Sequence, residues 1–182
     1  MKGPLVKRPR ILGLVLAVAA TAAALMAASP ASAGTTGPLH IQNFGTLMCL
    51  QPQNSSFADG APIVQTFCNS DATQGWNFIA LGNSNYRVQN AATGLCLYVN
   101  GNSNTNGIPI VQGFCSNVSN ETWKISTLSG TTQLRSQVAF TNTHCLDVPG
   151  AQAINGAAMQ LYVCNGTEAQ AWAIGIGISR QT

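Results

Sequence analysis

The six cysteines and the three tryptophans of this chain recur at one fixed spacing, which constrains the fold more than any other feature. Within each cysteine pair the two residues are 19 positions apart, and a tryptophan follows the second cysteine by 8 positions. The pairs are Cys49 and Cys68, Cys96 and Cys115, and Cys145 and Cys164, and the tryptophans are Trp76, Trp123 and Trp172. One unit of about 47 residues therefore occurs three times, and such a repeat predicts units that bury their apolar faces against one another.

Other residues keep the same register in each copy. A glycine stands 8 positions before each second cysteine and follows aspartate or asparagine, which predicts a hairpin turn in every unit. A leucine follows each first cysteine. The second copy starts 47 residues after the first and the third starts 49 residues after the second. We expect the two extra residues in the polar linker 126–132.

Short apolar runs separated by Gly, Asn, Ser and Pro predict short strands throughout the chain after Gly34. The run 174–178 alternates strictly between isoleucine and glycine, which is the period-2 pattern of a strand. Many short strands joined by turns predict a sandwich or a barrel. Three equal units narrow this to a threefold all-β barrel in one domain, with the three tryptophans as equivalent core residues.

The N-terminal segment 1–33 has the pattern of a secretory signal peptide. A basic start precedes a largely apolar run from Ile11 to Ala28, and Ala31-Ser32-Ala33 is a small-x-small cleavage motif. The apolar run is also about long enough for a membrane anchor, but its many alanines and the adjoining motif favour cleavage. The sequence thus predicts residues 1–33 as a signal peptide, residues 34–182 as one secreted, extracellular domain, and no membrane attachment after cleavage.

The predicted domain is nearly uncharged and rich in amides. After Ala33, four basic residues stand against five acidic residues, so the formal net charge is −1. A nucleic-acid-binding protein needs a Lys/Arg patch to neutralise phosphates, and no such patch occurs. The same segment contains 16 Asn and 13 Gln. Their neutral donors and acceptors suit hydroxyl-rich ligands, although secreted proteins are also often rich in asparagine in their loops.

An even number of cysteines in an exported domain favours disulfides. Three of the possible pairings keep threefold symmetry: one within each unit and two between neighbouring units, and pairing within each unit is favoured. A zinc site is not expected, because there is no Cys-x-x-Cys and because His40 and His144 are isolated. No metal or other cofactor is predicted.

The end of each unit resembles the Gln-x-Trp signature of the ricin B-chain type lectins, which are β-trefoil carbohydrate-binding modules. The copies are Gln74-Gly75-Trp76, Glu121-Thr122-Trp123 and Gln170-Ala171-Trp172. A second hallmark of these lectins is intact as Cys145-Leu146-Asp147-Val148. The resemblance covers about residues 38–178. It implies a β-trefoil whose repeats span about 38–84, 85–131 and 132–178, with one disulfide inside each repeat.

The resemblance also implies a sugar site in the third repeat. In this family an aspartate two residues after the first cysteine accepts hydrogen bonds from sugar hydroxyls, and an aromatic residue before the second cysteine stacks on the sugar ring. A nearby glutamine and the Gln of Gln-x-Trp support the pocket. The corresponding carbohydrate-binding residues here are Asp147, Gln160, Tyr162, Asn165 and Gln170. The chain departs from the family pattern at Ala169, where relatives have asparagine, and we expect one hydrogen bond to be lost there.

The first two repeats lack the key residues of this pattern. The aspartate position holds Gln51 or Tyr98, and the aromatic position holds Thr66 or Gly113. Phe67 and Phe114 lie one residue later, which on a strand places them on the opposite face. We therefore expect one competent sugar site and two degenerate ones.

Three functions remain open at this stage. The favoured hypothesis is a secreted, non-catalytic lectin that binds a galactose-like or pentose residue of a glycan or polysaccharide. A glycosidase requires two carboxylates that flank the scissile bond, and of the five scattered carboxylates after Ala33 only Asp147 and Glu168 are expected to share a neighbourhood. The third hypothesis is a β-trefoil that has lost sugar binding and serves as a protein-interaction scaffold or an inhibitor.

Overall fold

The computed structural model describes Gly3 and residues 35–128 and 130–175, without the side chains of residues 35–37 and 128. The fold lies within one compact unit, Ala31–Thr182. Apart from Gly3, the predicted signal peptide lies outside the described residues, so its cleavage and the limits of the secreted domain stay predictions. In the described part of the chain, no helix has the length and apolar character that crossing a membrane requires.

The described residues form twelve β-strands and no α-helix, which confirms the predicted all-β class. The strands are β1 (Thr35–Asn43), β2 (Met48–Pro52), β3 (Ile63–Phe67), β4 (Trp76–Gly82), β5 (Asn85–Asn90), β6 (Cys96–Val99), β7 (Ile108–Gly113), β8 (Thr122–Leu128), β9 (Thr131–Ser136), β10 (His144–Asp147), β11 (Gln160–Val163) and β12 (Trp172–Gly175). Strand β12 covers the start of the predicted strand 174–178, and residues 176–178 lie outside the described residues.

Six of the strands close into a barrel. Strand β1 pairs with β4, β4 with β5, β5 with β8, β8 with β9, β9 with β12, and β12 with β1, all antiparallel. Each of these six described strands therefore has a neighbour on both sides, so none of them is an edge strand that could pair with another chain. Each repeat supplies two of the six barrel strands, so a single repeat cannot close the barrel alone.

The other six strands form three hairpins that cover one end of the barrel. They are β2–β3, β6–β7 and β10–β11. The turn glycines Gly60, Gly107 and Gly156 have φ between 78° and 86°, as the predicted turns require. Their N–H groups donate 2.8 Å hydrogen bonds to backbone carbonyls of the neighbouring repeat's hairpin. The hairpins thus hold one another in a ring, and the threefold arrangement is that of a β-trefoil.

The tryptophans occupy equivalent positions in the core, as the repeat predicts. Trp76, Trp123 and Trp172 are fully buried. Each indole Nε1 donates to the carbonyl of the leucine after the first cysteine of its own repeat, at 2.9–3.2 Å. The disulfides join Cys49 to Cys68, Cys96 to Cys115, and Cys145 to Cys164. The prediction of one disulfide within each repeat is confirmed.

The extra residues of the third repeat lie elsewhere than predicted. Strand pairing joins Trp76 to Asn90 but Trp123 to Ser136, so the hairpin that contains 126–132 is one residue shorter than its counterpart. In the next loop, Cys96 pairs with Gln89, whereas Cys145 pairs with Arg135, which is a longer interval along the chain. The expectation for 126–132 is wrong: three residues are inserted in the loop 137–143.

Candidate functional site

The hairpin β10–β11 of the third repeat forms the floor of a concave site of about 300 Å³. Asp147 is paired with Gln160, and Cys145 with Tyr162. Side chains that are directly opposite, or two apart along a strand, share one face of a sheet. Asp147, Gln160 and Tyr162 therefore line the same pocket, as the resemblance to the lectin family implied.

The carboxylate of Asp147 is held between two glutamine side chains. Its Oδ1 accepts a 2.7 Å hydrogen bond from Nε2 of Gln160, and its Oδ2 accepts one of 3.0 Å from Nε2 of Gln170. Only 4% of the residue is exposed. Each carboxylate oxygen can accept a further hydrogen bond, so the pocket presents an oriented acceptor to a hydroxyl donor.

Burial raises the pKa of Asp147 above its usual value of 3.8, and the hydrogen bonds from Gln160 and Gln170 oppose this effect. Burial removes water from the carboxylate and so disfavours its charged form, whereas the two donors favour it. The two glutamines thus preserve an ionised acceptor in a largely desolvated position.

Gln170 is completely buried, and both ends of its amide are occupied. Besides the bond to Asp147, its Nε2 donates to the carbonyl of Val163 at 2.9 Å, and its Oε1 accepts from the backbone N–H of Asn165 at 2.8 Å. Gln170 ends a one-turn 3₁₀ helix, Glu168–Gln170, just before the strand that begins at the core Trp172. Its side chain therefore positions Asp147 and has no surface that faces the pocket.

The open side of the pocket is formed by Tyr162, Asn165 and Thr167. Tyr162 is half-buried, and Asn165 is exposed. The Oδ1 of Asn165 accepts from the backbone N–H and the hydroxyl of Thr167, at 3.0 and 2.8 Å. Sequence reasoning missed Thr167, although a polar residue three positions after the second cysteine could have been noted.

The hydrogen bond that was expected to be lost at Ala169 is one within the protein. In the second repeat the corresponding residue is Asn120, and its Nδ2 donates to the backbone carbonyls of Gly101 and Val99. The amide at that position ties the pocket loop to its own repeat. Ala169 is buried and lines the third-repeat pocket, so this substitution removes a tie within the protein.

The first repeat replaces the open acceptor with a closed network. The Oε1 of Gln51 accepts from Thr66 Oγ1 at 3.0 Å and from Gln74 Nε2 at 2.9 Å. Its Nε2 donates to Oγ of Ser55 at 2.7 Å, and Ser55 donates in turn to Asp71 at 2.5 Å. The hydroxyl of Ser55, followed by the backbone N–H of Thr73, lowers the pKa of Asp71. These groups already satisfy one another.

In the second repeat, Tyr98 stands at the position of Asp147, and Gly113 stands at the position of the aromatic Tyr162. A Cβ added to Gly113 would lie 3.3 Å from the ring of Tyr98, so the ring covers this glycine. Tyr98 and Asp59, from the preceding repeat, line an open pocket of about 330 Å³. Phe114, expected on the opposite face, is among the residues that line this pocket, and it follows the last residue of β7. Its side chain, like that of Phe67, is mostly exposed.

The second repeat also differs beneath the pocket. Glu121 replaces the supporting glutamine and is fully buried. Its carboxylate accepts from Arg87 Nε at 3.2 Å and from the backbone N–H groups of Ser116 and Asn117. A carboxylate cannot donate, so Glu121 could not hold an aspartate as Gln170 does. The aromatic Tyr98 at the aspartate position avoids that conflict.

Glu168, and a cluster formed by Cys96, Cys115 and Glu121, are further candidate sources of chemistry, and both have structural roles. The side chain of Glu168 contacts Gly45, where an added Cβ would lie 3.0 Å from its Cβ, and it is not among the residues that line the Asp147 pocket. Among the described residues, one cluster of potential metal ligands combines Cys96, Cys115 and Glu121. Its two sulfurs form a disulfide and therefore cannot act as thiolate ligands.

Comparison with protein families identifies a match over most of the chain. The model of the ricin-type beta-trefoil lectin domain-like family matches residues 28–113 and 72–161. A search of curated proteins found no match to this chain. Domains of this family are generally non-catalytic, although some structural neighbours are enzymes that carry such a module.

Solved structures share the fold at low sequence identity. The designed threefold-symmetric protein ThreeFoil superposes with a TM-score of 0.72 and 24% identity, covering 76% of this chain and 97% of its own. A ricin B-like lectin from Macrolepiota procera, solved in complex with lactose, superposes with a TM-score of 0.65 and 20% identity, covering 81% of this chain and 99% of its own. An exo-β-1,3-galactanase from Clostridium thermocellum superposes with a TM-score of 0.71 and 22% identity, covering 78% of this chain and 30% of its own.

Proposed function

Because the chain belongs to the ricin-type beta-trefoil lectin domain-like family, we propose that it is a non-catalytic lectin. Its third repeat binds one galactose-like or pentose residue of a glycan or polysaccharide. The observation that carries this proposal is the buried carboxylate of Asp147, held by Gln160 and Gln170 at the base of an otherwise open pocket.

The residues of the pocket have separate roles in this proposal. Asp147 accepts hydrogen bonds from adjacent sugar hydroxyls, each worth about 1.5–3 kcal/mol when the acceptor is ionised. Tyr162 provides a ring face for the apolar side of the sugar, worth about 0.5–1.5 kcal/mol by analogy with aromatic pairs. Gln160 and Asn165 contribute polar contacts at the edges, and Gln170 acts through Asp147. A single shallow site of this kind corresponds to a dissociation constant of about 1 mM.

The absence of catalysis is proposed from the arrangement of carboxylates. Hydrolysis requires a second carboxyl group across the scissile bond. Glu168 was the candidate from the sequence, and its contact with Gly45 directs it away from the residues that line the Asp147 pocket. A binding role therefore fits the pocket better than a glycosidase does.

NMR titration with lactose tests the proposal. We expect the backbone amides of Asp147, Tyr162 and Asn165 to shift with a dissociation constant of about 1 mM. Asp147→Asn keeps the shape of the side chain and should abolish these shifts, whereas the matched change Asp59→Asn, in the second-repeat pocket, should preserve them. If parent and Asp147→Asn bind a panel of mono- and disaccharides equally well, Asp147 is not the sugar ligand.

The closed network of the first repeat and the exchanged residues of the second favour one alternative, a scaffold or inhibitor that has lost sugar binding. Titration separates the two functions. If no sugar in the panel shifts the amides near Asp147 and Tyr162 at tens of millimolar, the lectin proposal fails and the scaffold is favoured.

We further propose that the protein is exported and that residues 1–33 are removed. The basic start, the apolar run and the Ala31-Ser32-Ala33 motif support this. Sequencing the N-terminus of the protein recovered from the culture medium should find Gly34. Recovery of the intact chain in membranes would favour an anchor instead.

A further inference from the structure

The loop inserted in the third repeat builds a second concave surface, which we call the Phe140 groove. It lies between the loop 137–143 and the 3₁₀ helix Ser119–Glu121 of the second repeat. Its volume of about 600 Å³ is twice the 300 Å³ of the Asp147 pocket. The residues that matter for its chemistry are Asn102, Asn117, Asn120, Thr122, Gln137 and Phe140.

The insertion is anchored at both ends. Val138 is fully buried in the core, and its N–H donates to Oγ of Ser136 at 3.1 Å. The N–H of Gln137 donates to the carbonyl of Thr122 at 2.9 Å, across the groove. Farther along, Asn104 of the second repeat donates to the hydroxyl of Thr141 at 3.2 Å. These contacts hold the tip of the loop in one conformation.

The anchored loop displays an aromatic ring to solvent. Phe140 is 84% exposed, the largest value among the exposed apolar side chains of the described residues. Both Ala139 and Phe140 have positive φ, at 52° and 57°. Such a conformation is strained at a non-glycine residue and is often found at binding sites. The loop therefore maintains an exposed phenylalanine at a cost to stability.

The groove is polar and uncharged. The residues that line it include five amide side chains and the hydroxyls of Ser119 and Thr122, and none of them is ionisable. Arg87 donates a hydrogen bond to Asn117, which lines the groove, and its charge is paired with that of Glu121. Amides and hydroxyls beside one aromatic face suit a ligand that offers many hydroxyls and no charge.

The groove is not a general consequence of the threefold fold. At the related junction of the first and second repeats, the shorter loop places Ala91 and Ala92 beside Gly75, and the concavity is about 240 Å³. That junction also contains the ionisable residues His40 and Asp71. The aromatic ring thus comes from the insertion, and the larger size and neutral lining of the groove distinguish this junction from the related one.

We propose that the Phe140 groove is a second carbohydrate-binding surface, which accepts a stretch of a neutral oligosaccharide chain. One sugar ring stacks on Phe140, and neighbouring hydroxyls bond with the side chains of Asn102, Asn117 and Gln137. Asn120 is not a ligand, because its amide is bound to the carbonyls of Gly101 and Val99. Its volume accommodates more of a chain than the Asp147 pocket does. This surface acts independently of the third-repeat pocket.

NMR titration of the mature protein with xylohexaose, cellohexaose and a β-1,3-galactan hexaose tests the proposal. At least one of these neutral probes should shift the amides of residues 117–122 and 137–142. Phe140→Ala should weaken that binding about 3- to 10-fold, the range for loss of one aromatic contact, and Phe140→Tyr should restore it. Phe67→Ala removes a phenylalanine that is 66% exposed elsewhere and serves as the matched control.

The outcomes separate this proposal from the one for the Asp147 pocket. Asp147→Asn should leave the groove shifts unchanged, and Phe140→Ala should leave lactose binding unchanged. If none of the hexasaccharides shifts the groove amides, or if Phe140→Ala binds as tightly as the parent, the groove is not a carbohydrate surface, whatever lactose does. Circular dichroism should show that the variants keep the parent fold.

Discussion

Replacing Gln170 with glutamate tests the idea that a donating amide beneath the pocket makes the buried Asp147 possible. In the parent, Nε2 of Gln170 donates to Asp147 Oδ2 at 3.0 Å. Glutamate cannot donate, so Gln170→Glu removes one hydrogen bond to a charged group and places two carboxylates in contact. The second repeat contains a buried glutamate at this position, but there Arg87 compensates it and Tyr98 replaces the aspartate.

The magnitude follows from two terms. Loss of the charge-assisted hydrogen bond costs about 1.5–3 kcal/mol. Repulsion between carboxylates about 4 Å apart is about 4 kcal/mol at an effective dielectric constant of 20. Proton uptake limits the sum of the two terms to about 4.5 kcal/mol, which is the cost of protonating one carboxyl at pH 7 at about 1.4 kcal/mol per pH unit above the usual aspartate pKa of 3.8. The protonated carboxyl no longer repels its neighbour and can donate a hydrogen bond to it. We expect the free energy of unfolding to fall by about 3–4.5 kcal/mol at pH 7.

The sign of the pH dependence is definite. Two adjacent carboxylates raise the pKa of the folded pair above its value in the unfolded chain, so folding of the variant is favoured at low pH. That stability is lost as the pH rises through the raised pKa. The difference between parent and variant should therefore shrink as the pH is lowered from 7 towards 4.

Urea unfolding at pH 7, 5.5 and 4, with the disulfides intact, measures this dependence. Gln74→Glu is the matched control, because the same change in the first repeat faces the neutral Gln51. Its cost at pH 7 should be smaller, because no second carboxylate faces it, and its change with pH should be weaker, since burial alone raises the pKa of the introduced carboxyl. Equal losses in the two variants, or a Gln170→Glu loss that does not change with pH, would refute the electrostatic explanation.

Three further predictions concern single groups. Because burial raises the pKa of Asp147, its ionised form disappears at a higher pH than for a free aspartate, and lactose affinity measured against pH should fall with a midpoint above 3.8. The pKa of Asp71 is lowered, so Asp71→Asn should reduce the free energy of unfolding above pH 3.8, with the difference vanishing as the pH falls below that value. Joint replacement of Cys145 and Cys164 by serine opens a loop of about 20 residues and should lower the free energy of unfolding by about 3 kcal/mol in urea.

The structure explains why the repeats diverged in a correlated way. In the sequence, Glu121 and Tyr98 are two separate departures from the family pattern. In the fold, the residue two positions before the core tryptophan lies beneath the residue two positions after the first cysteine, so their hydrogen-bonding roles must match. Gln170 donates to Asp147 and Gln74 to Gln51, whereas Glu121 can only accept and is balanced by Arg87. This matching depends on contacts between segments that are distant along the chain.

Spacing along the chain predicted the features of this protein that lie within a single repeat. A fixed interval between paired cysteines, a tryptophan at a constant step beyond them and strand-like alternation predicted a threefold all-β barrel and favoured pairing of Cys145 with Cys164. The resemblance to the ricin B-chain type lectins implied the trefoil and the roles of Asp147 and Tyr162. These features repeat because each repeat must satisfy the same short-range geometry within one hairpin.

Which polar groups remain open to a ligand depends instead on contacts between segments that are distant along the chain. Gln170 is fully buried and can only support Asp147. Ser55 and Asp71 close the site of the first repeat. The insertion lies at 137–143, not in the linker 126–132, and it contains the exposed Phe140. Hydrogen-bond saturation and strand register are set by residues from different repeats that meet when the barrel closes. Contacts between different repeats cannot be predicted from residue spacing along the chain.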